Sequence, residues 1–151
     1  MLPVIEYSVD VPASGDETFR TFQDLDRLLG RGIYEEAAWV EGLPWEVGSR
    51  LRYVITHPFQ GAFSAVLTAI DAPRSIDLLS HGIGITTEQH VSFSPDLKGG
   101  TRIRMTFTLV GKSDTLSESE LQRAAAFLAQ DALDTVVALF ARSDLDSATG
   151  T

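Results

Sequence analysis

Apolar and polar positions alternate over residues 4–11, with Ile5, Tyr7, Val9 and Val11 on one side and Glu6, Ser8 and Asp10 on the other. A period of two with one apolar face predicts a half-buried strand, which Pro12 ends. Ser14 and Glu17 have the spacing of a helix capping box, in which each side chain satisfies an orphan backbone N–H. Phe19, Phe22 and Leu25 follow at helical spacing. A second short helical piece is expected over residues 26–29, stopped by Gly30 and Gly32.

The middle of the chain reads as strands and turns. Residues 37–41 form a short strand, and the Gly42-Leu-Pro-Trp-Glu-Val-Gly48 stretch is a turn. Residues 50–56 set Leu51, Tyr53 and Ile55 against Arg50 and Arg52 until His57 and Pro58 interrupt the pattern. Strands over 63–70, 75–80, 87–94 and 101–110 are separated by turns at Pro73, at Gly82 to Gly84, and at 95–100. The last of them alternates well, with Ile103, Met105, Phe107 and Leu109 against Arg102, Arg104, Thr106 and Thr108. Seven strands, six in succession, predict an antiparallel meander.

Ser117 and Glu120 repeat the capping-box spacing, and a helix is expected from there to about Arg142. At about 1.5 Å per residue it would be nearly 40 Å long, enough to cross a sheet. Leu121, Ala125, Leu128, Ala132, Val136 and Leu139 share one wide stripe, while Arg123, Gln130, Asp131, Asp134 and Arg142 lie on the far side. The stripe is rich in alanine, so the helix would sit close to a sheet or leave room beside it.

Composition narrows the class. The 151 residues suit one domain, over residues 1–142, with 143–151 as a polar tail. An apolar fraction of 44% is that of a globular chain. Twelve Lys and Arg stand against 21 Asp and Glu, a net charge of −9 spread without a basic block. Such a chain repels phosphate backbones and anionic surfaces, which argues against a nucleic-acid partner. With no cysteine, disulfides, zinc–thiolate sites and a thiol nucleophile are excluded. No apolar run is long enough for membrane insertion, and the first residues lack a secretory pattern, so a cytoplasmic protein is the expectation.

The order strand, two short helices, six strands, long helix resembles the helix-grip fold of the SRPBCC superfamily, which includes START domains, birch-pollen-allergen-like proteins and polyketide cyclases. The pieces that carry the resemblance are Val11-Pro-Ala-Ser14, Thr18-Phe-Arg-Thr-Phe22, Asp24-Leu-Asp-Arg27, the stretch from Gly42 to Leu51, Ala72-Pro-Arg74 and Gly99-Gly-Thr-Arg-Ile103. With the order of elements, the resemblance covers nearly the whole chain, residues 4–142. The resemblance implies an α+β domain: a seven-stranded curved antiparallel sheet wrapped around a long C-terminal helix, with two short helices after the first strand. It also implies a cavity between sheet and helix that takes a hydrophobic small molecule, such as a lipid, a polyketide or an aromatic compound. Some relatives are cyclases, dehydratases or aromatases using that cavity, and others are co-chaperones or toxin–antitoxin partners. Relatives include monomers and homodimers. Fold alone does not choose among these.

Parity proposes the residues that would meet such a ligand. Tyr7, Tyr53, Ser80 and Gln89 are polar groups expected inward, where each needs a partner in the protein, a water or a ligand. Phe63, Phe93, Met105, Phe107, Leu128 and Ala132 are expected on the facing apolar surfaces, as core or as ligand wall. Trp39 and Trp45 lie near the rim, and Trp45, in a turn, is read either as a packed turn residue or as a gate to an opening. His57 shares the parity of Tyr53 and is read either as an exposed strand-end histidine or as an acid–base group, since imidazole relays protons near neutral pH. For an enzyme, His57, Tyr53 and Gln89 would be the acting groups.

With a simple register His90 falls opposite Asp77 across the hairpin; the pair is read either as an exposed cross-strand pair or, where a bulge turns that face inward, as a metal or catalytic site. Arg52 and Arg104 face outward by parity, and Glu35 and Glu36, adjacent on an extended segment, point apart. No metal-ligand spacing and no dinucleotide or phosphate-binding loop occurs, so neither a metal nor a cofactor is expected.

Overall fold

A computed structural model describes residues 4–24, 34–56, 60–82 and 84–112, and positions 117, 119, 120, 122, 123, 126, 130 and 134 beyond them. Seven strands form one antiparallel sheet: β1 (Val4–Val11), β2 (Tyr34–Glu41), β3 (Arg50–Ile55), β4 (Gly61–Asp71), β5 (Ser75–Gly82), β6 (Ile85–Pro95) and β7 (Thr101–Lys112). Their order is β1-β7-β6-β5-β4-β3-β2. β2 to β7 are thus a continuous meander that begins at the edge far from β1. β1 closes it by pairing with β7, from Val4 opposite Thr108 to Val11 opposite Thr101.

One helix is described in full, α1 (Gly15–Phe22). Ser14 is its N-cap, and its Oγ accepts the Glu17 N–H at 3.2 Å. Asp16 and Glu17 in the first turn and Arg20 in the last complement the helix dipole. Phe19 and Phe22 are buried and meet Phe93 of β6 edge to face, with ring centroids 5.2 and 5.5 Å apart. Thr101 Oγ1 donates to the Ala13 carbonyl at 2.8 Å and so ties the approach to α1 to the start of β7. Positions 119, 120, 122, 123, 126, 130 and 134 have helical backbone, and Ser117 Oγ accepts the Glu120 N–H at 3.2 Å, as the second capping box requires. The second short helix, over 26–29, and most of the long C-terminal helix lie outside the described residues.

Several strands run longer than alternation alone indicates, because the outer residues are polar or small. β2 extends back to Tyr34, and β7 reaches Lys112. The register is also less simple. Between Leu67 and Ala69 the pairing of β4 with β5 shifts. Leu67 is fully buried, Thr68 and Ala69 are exposed, and Ile70 packs on the core although strict alternation would turn it outward. An extra residue in one strand exchanges the two faces beyond it. β2, an edge strand, carries two such shifts, at Tyr34/Glu36 and Trp39/Glu41. The first leaves Glu35 and Glu36 both exposed. Bulges and acidic side chains on an edge disfavour pairing with another chain.

The inner face is apolar. Ile55, Leu67, Ile76 and Ile103 are wholly buried on it. The outer face is charged and solvated: Arg102 Nε and Nη2 donate to the two Asp10 carboxylate oxygens at 2.9 and 3.2 Å, and Arg104 pairs with Glu6 at 3.1 Å. The Arg102 guanidinium holds the Asp10 carboxyl below the usual aspartate range.

Phe93 is the shared partner of both α1 phenylalanines, so Phe93→Ala is expected to destabilise the fold by about 3–5 kcal/mol, against about 1 kcal/mol for the cap substitution Ser14→Ala. Urea unfolding of the two variants checks this ranking.

Candidate functional site

None of the buried side chains among the described residues is charged; the buried polar ones are Thr18, Ser49, Ser80 and Thr101. The sheet's inner face nevertheless carries one polar island. Tyr53 on β3 and Ser80 on β5 place their hydroxyl oxygens 2.8 Å apart. β4 lies between them, so the contact spans two inter-strand spacings of about 4.8 Å each. The residue in the intervening register is Ala65, opposite both Leu51 and Ser80, and its small side chain lets the phenol pass over β4. Gln89, half-buried on β6 and opposite Leu78, hydrogen-bonds to the same phenol.

The Tyr53 ring is held flat against Phe63, with centroids 5.2 Å apart and planes 10° from parallel. Phe63 in turn needs Gly82: a Cβ there would come within 2.4 Å of the phenylalanine ring. The ring position of Tyr53 therefore depends on two residues of the neighbouring strands. Burial pushes the phenol pKa up from 10.0, and hydrogen bonds from Ser80 and Gln89 offset part of that. At neutral pH Tyr53 is a protonated donor, not a base.

The other expected residues fall into distinct surroundings. Phe63, Phe93, Met105 and Phe107 are buried in the core of the inner face. Tyr7 has the inner parity, opposite Met105, but is 36% exposed. It lies on the edge strand, in an open cleft of about 440 Å³ with Ile5, Glu6, Ser119, Gln122, Arg123 and Ala126. It does not join the island. Trp39 is half-buried and meets Trp45 edge to face at 5.2 Å. His57, Leu128 and Ala132 lie outside the described residues.

Trp45 is a packed turn residue, held by a tether. Its Nε1–H donates to the Gln23 carbonyl just past α1 at 2.9 Å. Its backbone has φ of +61°, which a bulky residue rarely adopts and which costs on the order of 1–3 kcal/mol. The turn that imposes it is held by Ser49, whose Oγ donates to the Leu43 carbonyl at 2.6 Å and whose N–H donates to Glu46. Composition signalled a turn here but not this tether, because the acceptor is a backbone carbonyl in another element.

On the outer face, His90 Nδ1 is 2.5 Å from Asp77 Oδ1, and both side chains are substantially exposed. Arg52 and Arg104 are exposed on the same side. These are surface pairs of small energetic weight.

Comparison with solved structures identifies the class. The chain is similar to a START superfamily protein from Mycobacterium smegmatis, with a TM-score of 0.74 and 12% identity over 92% of this chain and 97% of that one. It is similar to Ara h 8.0201, with a TM-score of 0.72 and 15% identity over 94% and 99% of the two chains. Protein Ms6760 from Mycobacterium smegmatis matches with a TM-score of 0.71 and 20% identity over 90% and 89%. The chain therefore has a START-like, SRPBCC-type fold, with a seven-stranded antiparallel sheet and a helix. No protein-family model and no curated protein matches the sequence.

A raised phenol pKa has a definite sign. The folded state favours the protonated Tyr53, so its stabilising effect is complete below about pH 10 and is lost as pH rises through the folded-state value. Wild type is expected to lose more stability between pH 8 and pH 11 than Tyr53→Phe, as measured by urea unfolding at both pH values.

Proposed function

We propose that this protein binds a hydrophobic small molecule, of the lipid, polyketide or aromatic kind, between the inner face of the sheet and the C-terminal helical segment. The observation that carries the reading is the inner face itself: apolar, without buried charge among the described residues, and bearing one small polar island. Such a surface excludes water and orients a ligand through few hydrogen bonds. START-like architecture supports the same reading by analogy. The proposal includes one helix-grip domain over residues 1–142, a second short helix and a long C-terminal helix whose alanine-rich stripe faces the sheet, and a polar tail. It places the protein in the cytoplasm as a monomer or homodimer, with no nucleic-acid partner.

A cyclase, dehydratase or aromatase in the same cavity is the second reading, and the island favours it only in part. Tyr53 supplies a proton donor, but no buried base accompanies it among the described residues.

N-phenyl-1-naphthylamine, a neutral apolar dye that brightens when shielded from water, tests the binding reading. Saturable one-to-one enhancement in the micromolar range, abolished in urea, is the expected result. A linear, non-saturating response would overturn it.

A further inference from the structure

We infer that β1 is a self-pairing edge: two copies of this chain join β1 to β1, antiparallel about a twofold axis at Tyr7, into one continuous sheet. The inference is independent of the ligand reading above and assigns both the surface and the register of association.

The two edges of the sheet differ. β2 carries two register shifts and exposes Glu35, Glu36 and Glu41. β1 pairs with β7 over all eight of its residues without a shift, and it contains no proline, glycine or lysine. Its far side has no strand partner among the described residues. A regular edge of this length is a template for a further strand unless it is broken, charged or covered. The acids that would defend it are already engaged, Glu6 by Arg104 and Asp10 by Arg102 of β7.

Tyr7 marks the centre of this edge. It has the parity of the buried Ile5 and Val11, yet it is 36% exposed. A second tyrosine opposite it would shield both rings from water and add an aromatic cross-strand pair.

Charge selects the register. Residues directly opposite in an antiparallel pair share a face, so the twofold axis falls on a residue that meets its own copy. An axis at Tyr7 pairs residues 4–10 of β1, an axis at Ser8 pairs residues 5–11, and any other axis pairs fewer. The axis at Ser8 sets Glu6 against the partner's Asp10, and like charges directly opposite destabilise a strand pair. The axis at Tyr7 sets Glu6 against the partner's Ser8 and Asp10 against the partner's Val4, so no acid meets an acid. On the apolar face it sets Ile5 against the partner's Val9. The partner's Tyr7 then stands beside Tyr7 at the cleft lined by Gln122, Arg123 and Ala126, and the clefts of the two copies meet at the axis.

One strand pair is a small interface, so association is expected between about 10 μM and about 1 mM. Sedimentation velocity over that range is expected to show a reversible monomer–dimer equilibrium. Salt of about 0.15 M screens the repulsion between two copies of net charge −9 beyond about 8 Å. Tyr7→Lys and Tyr7→Glu each put like charges on the axis and are expected to weaken association at least about tenfold, with unchanged circular dichroism. An equimolar mixture of the two is expected to recover the dimer.

The chain has no cysteine, so an introduced thiol reports its neighbour without competition. With diamide as oxidant, Tyr7→Cys is expected to form a disulfide-linked dimer at least about tenfold faster than Ser8→Cys, because only the axial residue brings two β-carbons within disulfide reach. Val40→Cys, at a position 54% exposed on β2, is the control for random collision and is expected to be as slow as Ser8→Cys.

Wild type that stays monomeric throughout the range would overturn the inference and leave the edge to a strand of another protein. Ser8→Cys or Val40→Cys linking as fast as Tyr7→Cys would overturn it as well. So would a dimer that Tyr7→Lys and Tyr7→Glu both leave unchanged.

Discussion

The pairing of β1 with β7 is the constraint on which the rest of the molecule depends. These strands lie at opposite ends of the sheet's sequence, and eight residues of β1 must find their partners across about a hundred residues of chain. Until they do, the meander is an open sheet whose apolar face is only partly covered. The pairing also positions α1, because Thr101, opposite Val11 at the end of β1, holds the Ala13 carbonyl. From that anchor, α1 lays Phe19 and Phe22 on Phe93. One strand pairing thus fixes a sheet edge, a helix and a core cluster together. Contacts so distant in sequence form late and reward the chain only once the loops are closed.

Most of the fold could be read from the residues because its two signals are local. A period of two identifies a half-buried strand wherever an apolar face meets a solvated one, and all seven strands have that property over part of their length. A serine three residues before a glutamate marks a helix start, and both such pairs make the expected hydrogen bond from the glutamate N–H. The hairpin between β5 and β6 sets Asp77 against His90 because its register has no shift. Alternation fails where a bulge intervenes. Nothing in Leu67, Thr68, Ala69 and Ile70 announces an extra residue, since the bulge is decided by how β4 and β5 fit together. Beyond it Ile70 keeps its apolar surroundings by changing face.

The site was legible in part. Parity placed Tyr53, Ser80 and Gln89 on the inner face, but it could not say that they touch. Their contact depends on Ala65 being small and on Gly82 leaving space for the Phe63 ring, both facts of neighbouring strands. Tyr7 shows the converse. It has the right parity, yet an edge strand has a neighbour on one side only, so a residue there opens to a cleft instead of a core. The tether of Trp45 was not legible for a third reason, namely that a left-handed tryptophan is stable only when a turn and a distant carbonyl both hold it.

The two faces of the sheet divide the chemistry of the chain between them. On the outer face, Asp10 and Glu6 of β1 pair with Arg102 and Arg104 of β7, and the excess of acidic groups keeps the surface well hydrated. On the inner face the same backbone pleat carries almost nothing but hydrocarbon. A polar group kept in such surroundings lowers stability unless it is satisfied, and leucine or phenylalanine at Tyr53, Ser80 or Gln89 would pack with less demand. The island is therefore the least economical feature of the core. A stacked ring, an alanine and a glycine all support it, and three strands contribute to it. That concentration of supporting geometry around one hydrogen-bonded chain sets it apart from the surface pair of Asp77 and His90, which solvent would satisfy if the protein did not.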